Sequence, residues 1–401
     1  MNTTDIDIYN PEQYRFGVPH DKYRKLRHNA PINFQQEVDG PGYWAVMKHA
    51  DVIYASKRPQ IFSSQQGGIN IPDPSDEDLE IAQMIMINMD PPQHAKYRKL
   101  VSSGFTPRMT QRLVGTIQNA VAIILDRISG QTEVDFVATV ASQLPLYLIA
   151  DLIGWPETDH ELMFSWSDRV ARIDYEPDDA RMAAMEFWEY CTALIEKVEN
   201  SGIKRDDLLH VILDAEIGGE RLSHMEIVNF LLLLAIGGNE TTRNCISGGF
   251  LALHENPSQL QKFKADPLGL SENAVEEMLR WTSPITAFRR TAMCDTELGG
   301  QAIKAGEKVV LYYASANRDE DIFESSSEFN ILRTENPHLS FGTGQHFCLG
   351  ATLARMEIRI LFEQLFMRFP NMTPSSEVSR LPSNYVNAIE KFMVIPGEDR
   401  P

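Results

Sequence analysis

The feature that most limits the fold is an unusually long helical pattern in the middle of the chain. It runs from Ser223 to Asn256, "SHMEIVNFLLLLAIGGNETTRNCISGGFLALHEN", with apolar residues at helical spacing. Ser223 and Glu226 form a capping-box signature at its start. Its most apolar part, "IVNFLLLLAIGG", is interrupted by Asn229 and falls short of the roughly 20 residues that span a bilayer. The pattern predicts one long helix in a helical protein and no membrane anchor.

Other helical patterns outnumber the strand signals. Helices are predicted from Met109 to Ser129, from Ala180 to Gly202 and from about Leu349 to Phe366. Strand signals cluster at three places, which are "GYWAVMKH", "CDTELGGQAIKAGEKVVLYYASAN" with its Gly-Gly turn, and "KFMVIP". Loops are predicted between residues 62 and 81 and between residues 317 and 350. No linker or low-complexity tract divides the chain, so we expect one domain over residues 1–401, mainly α with small β-sheets.

Composition narrows the class of protein. The 401 residues are 43% hydrophobic and carry a formal net charge of −19. Such an acidic chain is a poor match to nucleic acid, because phosphate binding requires a basic surface. The start, "MNTTDIDIYN", lacks the basic and apolar regions of a secretory signal. The four cysteines are dispersed without a CxxC pair, which argues against disulfide frameworks and zinc sites. We therefore expect a cytoplasmic globular protein.

One of these cysteines stands in an unusual loop. "FGTGQHFCLG" surrounds Cys348 with Gly342, Gly344 and Gly350, and a predicted amphipathic helix follows directly. The start of a helix favours a thiolate over a thiol, and thiolate is the form that binds metals. Glycines let the backbone lie flat against a large group. A buried structural cysteine is the plain alternative, while the setting favours a nucleophile or one axial ligand of a cofactor metal.

This loop resembles the haem-binding loop of the cytochrome P450 family. The positions that match the family pattern are Phe341, Gly344, His346, Cys348 and Gly350. The resemblance implies the P450 fold, a single large helical domain with a smaller β-rich lobe. It also implies haem b (iron protoporphyrin IX) as the cofactor and Cys348 as its metal ligand. Phe341, Gly342, Gly350 and His346 are then expected to contact this cofactor.

A charge network is expected beneath the loop. Glu277 and Arg280 in "EEMLRW" lie on one face of a helix and can pair, which alone predicts no more than a surface ion pair. In the family such a pair is joined by an arginine from an F-x-x-x-R segment, and "FNILR" supplies Arg333. The implied role is structural, because the network fixes the loop that presents Cys348.

The long helix carries "AIGGNETT", which is similar to the oxygen-activation motif of the family. The matching positions are Gly238, Asn239, Glu240 and Thr241. The resemblance implies that a Thr241 hydroxyl diverted from the helix ladder donates a hydrogen bond and that Glu240 relays protons from solvent. Threonines that simply bond their own helix backbone are the alternative.

Basic residues offer partners for the two carboxylates of a haem. His94 and Arg98 lie at i and i+4 just after a Pro-Pro helix start. These two residues, Arg290 in "RRTAMCD" and His338 in "PHLSFG" match propionate contacts of soluble bacterial members, and His346 is a further candidate. Singly, each would be taken as a surface charge.

The resemblance also implies the reaction. A haem with a cysteinate ligand activates dioxygen and inserts one of its atoms into a C–H bond of a substrate. No flavin or iron–sulfur module is recognisable in the chain, so the expected electron source is a separate ferredoxin with its NAD(P)H-dependent reductase. Basic residues on segments near the cysteine could form the docking patch, or could simply be solvated; they are Lys96, Lys99, Arg355 and Arg359.

The residues that the family pattern places around the substrate are mostly apolar, which predicts a lipophilic small molecule. They are Ile69, Ile71, Ala235, Gly238, Ile285, Ala287, Phe288, Tyr385 and Val386. Stretches such as "LRWTSPITAFRRTA" and "NETTRN" look most like the bacterial branch that oxidises steroid side chains, branched lipids and terpenoids. A steroid or sterol-like substrate is favoured, with terpenoid or fatty-acid hydroxylation next. A peroxide-using haem enzyme and a non-catalytic haem or lipid-binding protein stay open.

Overall fold

The structure, a computed structural model, describes residues 6–102, 105, 111, 113–170, 176–202, 207–217 and 220–400. Helices dominate this part of the chain. In chain order they are α1 (His20–Asn29), α2 (His49–Ser56), α3 (Asp76–Gln83), α4 (Gln93–Ser102), α5 (Val114–Ile128), α6 (Gln143–Ile153), α7 (His160–Val170), α8 (Pro177–Ser201), α9 (Leu208–Leu213), α10 (His224–Glu255), α11 (Pro257–Ala265), α12 (Pro267–Thr282), α13 (Tyr313–Ala316) and α14 (Ala351–Arg368). The predicted helix start at Met109 lies outside the described residues.

The strands are short. In chain order they are β1 (Ile32–Gln35), β2 (Tyr43–Val46), β3 (Phe62–Ser63), β4 (Val134–Asp135), β5 (Glu216–Ile217), β6 (Glu220–Arg221), β7 (Ala287–Ala292), β8 (Thr296–Leu298), β9 (Gln301–Ile303), β10 (Lys308–Tyr312), β11 (Thr373–Pro374), β12 (Ser379–Arg380), β13 (Ile389–Lys391) and β14 (Met393–Ile395). The main sheet has the order β1-β2-β10-β7-β3, in which β2 and β10 are parallel with Tyr43 opposite Lys308. This sheet is the centre of the smaller lobe.

The long helix α10 is continuous over 32 residues, or about 48 Å. Its start is the predicted capping box, in which the Ser223 side chain accepts from the Glu226 amide and the Glu226 side chain accepts from the Ser223 amide. The helix stays regular through Gly237 and Gly238. A Cβ on Gly238 would lie 2.5 Å from Ile149 Cδ1, so this glycine lets α6 pack directly against the backbone of α10. No helix among the described residues is long and apolar enough to cross a membrane.

Two strands and one helix depart from the sequence expectation. The strands β1 and β7 lie outside the predicted strand signals. The strand β7 carries no clear alternation of apolar and polar residues and contains the buried Arg289 and Arg290. The short helix α3 begins inside the predicted loop over residues 62–81 and is capped by Ser75, whose side chain accepts from the Asp78 amide. Tertiary partners, rather than local pattern, stabilise these strands.

The helical body has two hydrophobic clusters on either side of α10. One joins α5, α10, α12 and α14 and includes the stacked rings of Phe136 and Phe250, 4.3 Å apart. The other joins α6, α8 and α10 around Ile149, Phe187 and Ala235. The helix therefore crosses the interior and presents the segment Gly237–Thr241 at its middle.

Candidate active site

The glycine-rich loop is closed on itself. The Cys348 amide donates to the Phe341 carbonyl at 2.9 Å. Gly342 and Gly344 have φ of 65° and 73°, the left-handed region that favours glycine. A Cβ on Gly344 would lie 2.7 Å from the Ser56 carbonyl oxygen, so the loop also needs this glycine to pack on α2. The closed loop holds the half-buried Cys348 three residues before α14 begins.

The environment of Cys348 corrects one expectation. Burial raises the pKa of its thiol, and the Gly350 amide and the cations of Arg98 and Arg355 offset this only in part. The start of α14 therefore does not by itself produce a thiolate. A metal cation would remove the proton, because a coordinated thiol is deprotonated. Within the described residues no group of three or more His, Cys, Asp or Glu side chains could hold a metal, so a metal at Cys348 needs a cofactor for its other ligands.

Basic side chains gather beside the loop. The rings of His94 and His346 have centroids 4.2 Å apart, and Arg98 donates from Nη2 to the Phe347 carbonyl at 2.6 Å. Arg290 comes from β7, and its charge acts on His346. Burial and the charges of Arg290 and Arg98 lower the pKa of His346 to about 2. Burial and the charge of Arg98 lower the pKa of His94 to about 4. We call His94, Arg98, Arg290 and His346 the basic cluster.

The basic cluster fits the two carboxylates of a haem. The acid that acts on His94 is Asp90, and this carboxylate already accepts from the Ser63 hydroxyl and the Ser64 amide. Two arginines and two neutral histidines beside a half-buried cysteine match a flat dianionic group with a metal at its centre. The donor set therefore suits the cofactor that the loop implies.

His338 is not part of the basic cluster. Its Nε2 atom lies 3.1 Å from Glu276 Oε2, and its side chain is only 2% exposed. Arg355 binds the same carboxylate at 2.6 and 2.9 Å and lies over the ring of Phe341, 4.4 Å from its centroid. The structure therefore brings His338 to an ion-paired group that supports the loop, and not to the group predicted for the carboxylates.

The charge network beneath the loop is fully formed. Arg280 binds both oxygens of Glu277, at 2.8 and 2.7 Å, and both side chains are completely buried. Arg333 donates to Glu277 at 3.2 Å, and the Asn330 amide donates to it at 2.7 Å. Arg280 also donates to the carbonyls of Asn317, Ser326 and Glu328. A fixed pair of charges thus ties α12 to the long segment that precedes Cys348.

Thr241 and Glu240 have different partners at the middle of α10. The Thr241 hydroxyl donates to the Gly237 carbonyl at 2.7 Å, as in the alternative that the sequence left open. Gly237 is exposed and its Cβ position has no atom within 4 Å, so this face of the helix borders open space. Glu240 is buried, pairs with Arg243 and accepts from the Asn244 amide group at 3.0 Å. Arg243 in turn binds Asp168 of α7 at 2.9 Å.

Some of the predicted pocket residues come together. Ile285 pairs with Val386 in an isolated β-bridge, and the rings of Phe288 and Tyr385 are 5.6 Å apart. The Arg289 amide donates to the Ile69 carbonyl at 2.8 Å, which places Ile69 beside Phe288. These five residues are therefore neighbours, and we call them the pocket wall because the sequence predicts them at the substrate: Ile69, Ile285, Phe288, Tyr385 and Val386.

The structure places the other predicted pocket residues in packed cores, and their contact with substrate stays a prediction. Ala235 belongs to the cluster between α6, α8 and α10, and Gly238 faces Ile149 of α6. Ile71 and Ala287 lie together in the core of the smaller lobe. Sequence reasoning also left out Gly237, the exposed glycine of the pair. Helical spacing to Thr241, four residues on, could have identified it.

Comparison with known proteins identifies the family. The family model for cytochrome P450 matches residues 163–396. Together with the fold, this defines a haem-thiolate protein with the mainly α P450 architecture. The chain belongs to the cytochrome P450 family. It is therefore a monooxygenase that acts with dioxygen on a lipophilic substrate.

Two relatives and one solved structure are similar over nearly the whole chain. A steroid C26-monooxygenase of Mycolicibacterium smegmatis is 38% identical over 98% of this chain and 93% of its own. A methyl-branched lipid omega-hydroxylase of Mycobacterium tuberculosis is 39% identical over 93% of this chain and 90% of its own. The structure of Mycobacterium marinum cytochrome P450 CYP268A2 in complex with pseudoionone matches with a TM-score of 0.89 and 34% identity, covering 97% of this chain and 98% of that one.

Proposed function

We propose that this chain is a haem b monooxygenase that hydroxylates a steroid or sterol-like substrate, with electrons from a separate ferredoxin and its NAD(P)H-dependent reductase. The observation that carries the proposal is the closed loop around Cys348 beside the basic cluster. Cys348 would bind the metal, and the basic cluster would bind the two carboxylates. Phe341, Gly342 and Gly350 would contact the cofactor. When bound, the haem-thiolate group supplies the activation of dioxygen.

Thr241 and Glu240, in the middle of α10, are the residues proposed to supply protons for the reaction. The Thr241 hydroxyl can rotate from the Gly237 carbonyl toward the open space beside it and donate a hydrogen bond there. Glu240 is held by Arg243, which also binds Asp168, a residue with a quarter of its side chain exposed. Breaking the contact between Glu240 and Arg243 would free a carboxylate to carry protons inward from the α7 side.

Replacing Thr241 by alanine tests this role. A Thr241→Ala enzyme should bind substrate normally and consume the reductant, but release most of it as peroxide instead of product. Thr241→Ser, which keeps the hydroxyl, is the matched control and should stay coupled. The measurement is the ratio of product and peroxide to NAD(P)H consumed. Full coupling in Thr241→Ala would remove the relay from the proposal.

The substrate assignment rests on the pocket wall and on the relatives. Ile69, Ile285, Phe288, Tyr385 and Val386 offer an apolar surface with one phenol. The two relatives are named for oxidation at C26 of a steroid and at the omega position of a methyl-branched lipid. A steroid with a branched alkyl side chain is therefore the first candidate. Terpenoids and fatty acids are the second candidate class of substrate, and the solved structure with pseudoionone supports the terpenoids.

A spectral titration separates these substrates. The purified enzyme is mixed with cholest-4-en-3-one, testosterone, pseudoionone or hexadecanoic acid, and displacement of the metal-bound water is followed. Tightest binding of the steroid with the side chain supports the proposal. A preference for hexadecanoic acid or pseudoionone transfers the assignment to the second class. Product formed with peroxide alone, at the rate of the ferredoxin system, would favour the peroxide-using alternative.

Fewer basic residues are available to bind a ferredoxin than the sequence predicts. Arg355 is bound to Glu276, and Arg359 lies 3.7 Å from Glu363, so both are partly neutralised. Lys96 and Lys99 are exposed on α4, and Lys99 lies next to the loop residues Gly344 and Gln345. These two lysines are the better candidates to attract an acidic partner.

Reversing one of these charges should slow electron delivery. Lys99→Glu is expected to raise the KM for ferredoxin by about fivefold at low salt, because the rim charge steers association. The effect should shrink as salt rises. Lys391→Glu, at an exposed position on β13, is the control and should behave like the wild type. Equal KM values for both variants would place the docking surface elsewhere.

A further inference from the structure

The loop that carries Ile69 is attached to the main sheet by ionic and hydrogen-bonded contacts that the reaction does not require. The loop runs over residues 64–75 between β3 and α3. The Arg289 amide of β7 donates to the Ile69 carbonyl at 2.8 Å, and the Thr291 hydroxyl donates to the Gln66 carbonyl. The Ile71 side chain is buried in the core of the smaller lobe. Ile69, the other isoleucine of this loop, is also buried, but it belongs to none of the hydrophobic clusters of the described residues.

Buried cations hold the end of the loop. Arg289 is 4% exposed, and its Nη1 atom donates to Asp73 Oδ1 at 2.7 Å. Lys308 of β10 is 2% exposed and lies 2.8 Å from Asp73 Oδ2. Each carboxylate oxygen of Asp73 thus has its own cation. Lys308 also binds Glu37, so the four side chains carry no net charge together.

The same cations bind the loop backbone. The Ile71 carbonyl accepts from Lys308 at 3.2 Å and from Arg289 at 3.4 Å, and the Pro72 carbonyl accepts from Arg289 at 3.3 Å. The planar fork of an arginine can serve a carboxylate and nearby carbonyls at once, whereas a lysine offers a single point of charge. Arg289 is therefore the centre of the attachment.

Gly67, the first glycine of the loop, makes room for this arginine. Gly67 has φ of 86°, and a Cβ at this position would lie 2.1 Å from Arg289 Nη2. Both the backbone conformation and the space demand glycine. The "QQGGINIPD" stretch is thus shaped to receive the guanidinium.

The strand that provides Arg289 also reaches the cofactor site and the pocket. Arg290, the next residue, belongs to the basic cluster and donates to the Arg289 carbonyl at 2.7 Å. Phe288, the preceding residue, contacts Tyr385 on the pocket wall. Strand alternation sends neighbouring side chains to opposite faces. The loop is therefore fixed to the strand that positions both the carboxylate contacts and the pocket wall.

We propose that Arg289 and Asp73 are positioning residues for substrate selection, because their contact fixes the loop that presents Ile69 to the substrate. The inference rests on the proposed function, since it concerns the same pocket. Bonds from Lys308 and Arg289 to Asp73 outweigh its burial and lower its pKa, so the attachment stays charged near neutral pH. Loosening it would let Ile69 leave the wall without disturbing Cys348 or the basic cluster.

Asp73→Asn tests the proposal in the holoenzyme. The side chain is 47% exposed and Lys308 keeps Glu37, so the variant should fold. Hydrogen exchange of the amides in residues 66–72 should accelerate by about fivefold, because one charge-assisted hydrogen bond is lost. The dissociation constant for testosterone should rise by about fivefold, while the carbon monoxide spectrum of the reduced enzyme stays that of the wild type.

Two further variants exclude a merely structural effect. Asp73→Glu keeps the carboxylate and should restore slow exchange and most of the affinity. Asp295→Asn removes an equally charged partner from the exposed ion pair with Lys304 and should change neither quantity. Unchanged exchange or unchanged affinity in Asp73→Asn would overturn the proposal. If the wild type lacks a thiolate spectrum, the proposed function fails, and the exchange data alone still decide whether Asp73 holds the loop.

Discussion

A Cys348→Ala protein is expected to lose the thiolate spectrum of its haem and all measurable monooxygenase activity. The Cys348 sulfur is the proposed metal ligand, and within the described residues no group of three or more His, Cys, Asp or Glu side chains could hold a metal in its place. The reduced enzyme with carbon monoxide reports the ligand directly. Haem bound by the basic cluster alone should show a spectrum without thiolate character.

The control for this variant is Cys294→Ala. Cys294 is exposed and free, and its removal should leave spectrum and activity unchanged. A Cys348→Ala protein with the spectrum of the wild type would contradict the assignment of the ligand. The roles proposed for the basic cluster and for Thr241 would then also fail, because both depend on a haem bound at Cys348.

The second large effect is expected at Glu277. Glu277→Gln removes the charge between Arg280 and Arg333, and it leaves two buried or nearly buried guanidinium groups without a carboxylate. Breaking a buried ion pair at one partner costs about 3–5 kcal/mol. This is a large share of the total stability of about 5–15 kcal/mol of a typical protein. We expect a sharply lower midpoint in urea unfolding and poor haem incorporation.

Glu272→Gln is the matched control for Glu277→Gln. Glu272 lies on the same helix, α12, but is exposed. Its substitution should shift the free energy of unfolding by no more than about 0.5 kcal/mol. Equal stabilities of the two variants would show that the network does not fix the segment before Cys348.

Local sequence predicts most of the helical body and part of the site. The capping box at Ser223 and Glu226 fixes the start of α10, because both of its hydrogen bonds are made within four residues. The pairing of Glu277 with Arg280 follows equally from helical spacing. Gly342 and Gly344 indicate a constrained loop from the sequence alone, and both adopt positive φ in the structure. These features depend on neighbours in sequence.

Features that depend on distant partners could not be predicted in this way. Ala235 and Gly238 lie on the expected helix, but the side they face is decided by the packing of α6 and α8. His338 was assigned by its place in the chain, and its actual partner, Glu276, comes from another element. The strand β7 breaks the alternation rule because Arg289 is paired with a remote loop and Arg290 belongs to the basic cluster.

The order of the main sheet has a consequence for how the protein is made. The strands β1, β2 and β3 precede residue 64, whereas β10 and β7, which join β2 to β3, follow residue 286. At a synthesis rate of about 5–20 residues per second, β2 waits roughly 10 to 50 s on the ribosome before its parallel neighbour exists. During that interval the apolar edge of Tyr43–Val46 is open to strands of other nascent chains. Prematurely terminated translation products should therefore aggregate through this edge, and the yield of intact enzyme should depend on chaperones that shield it.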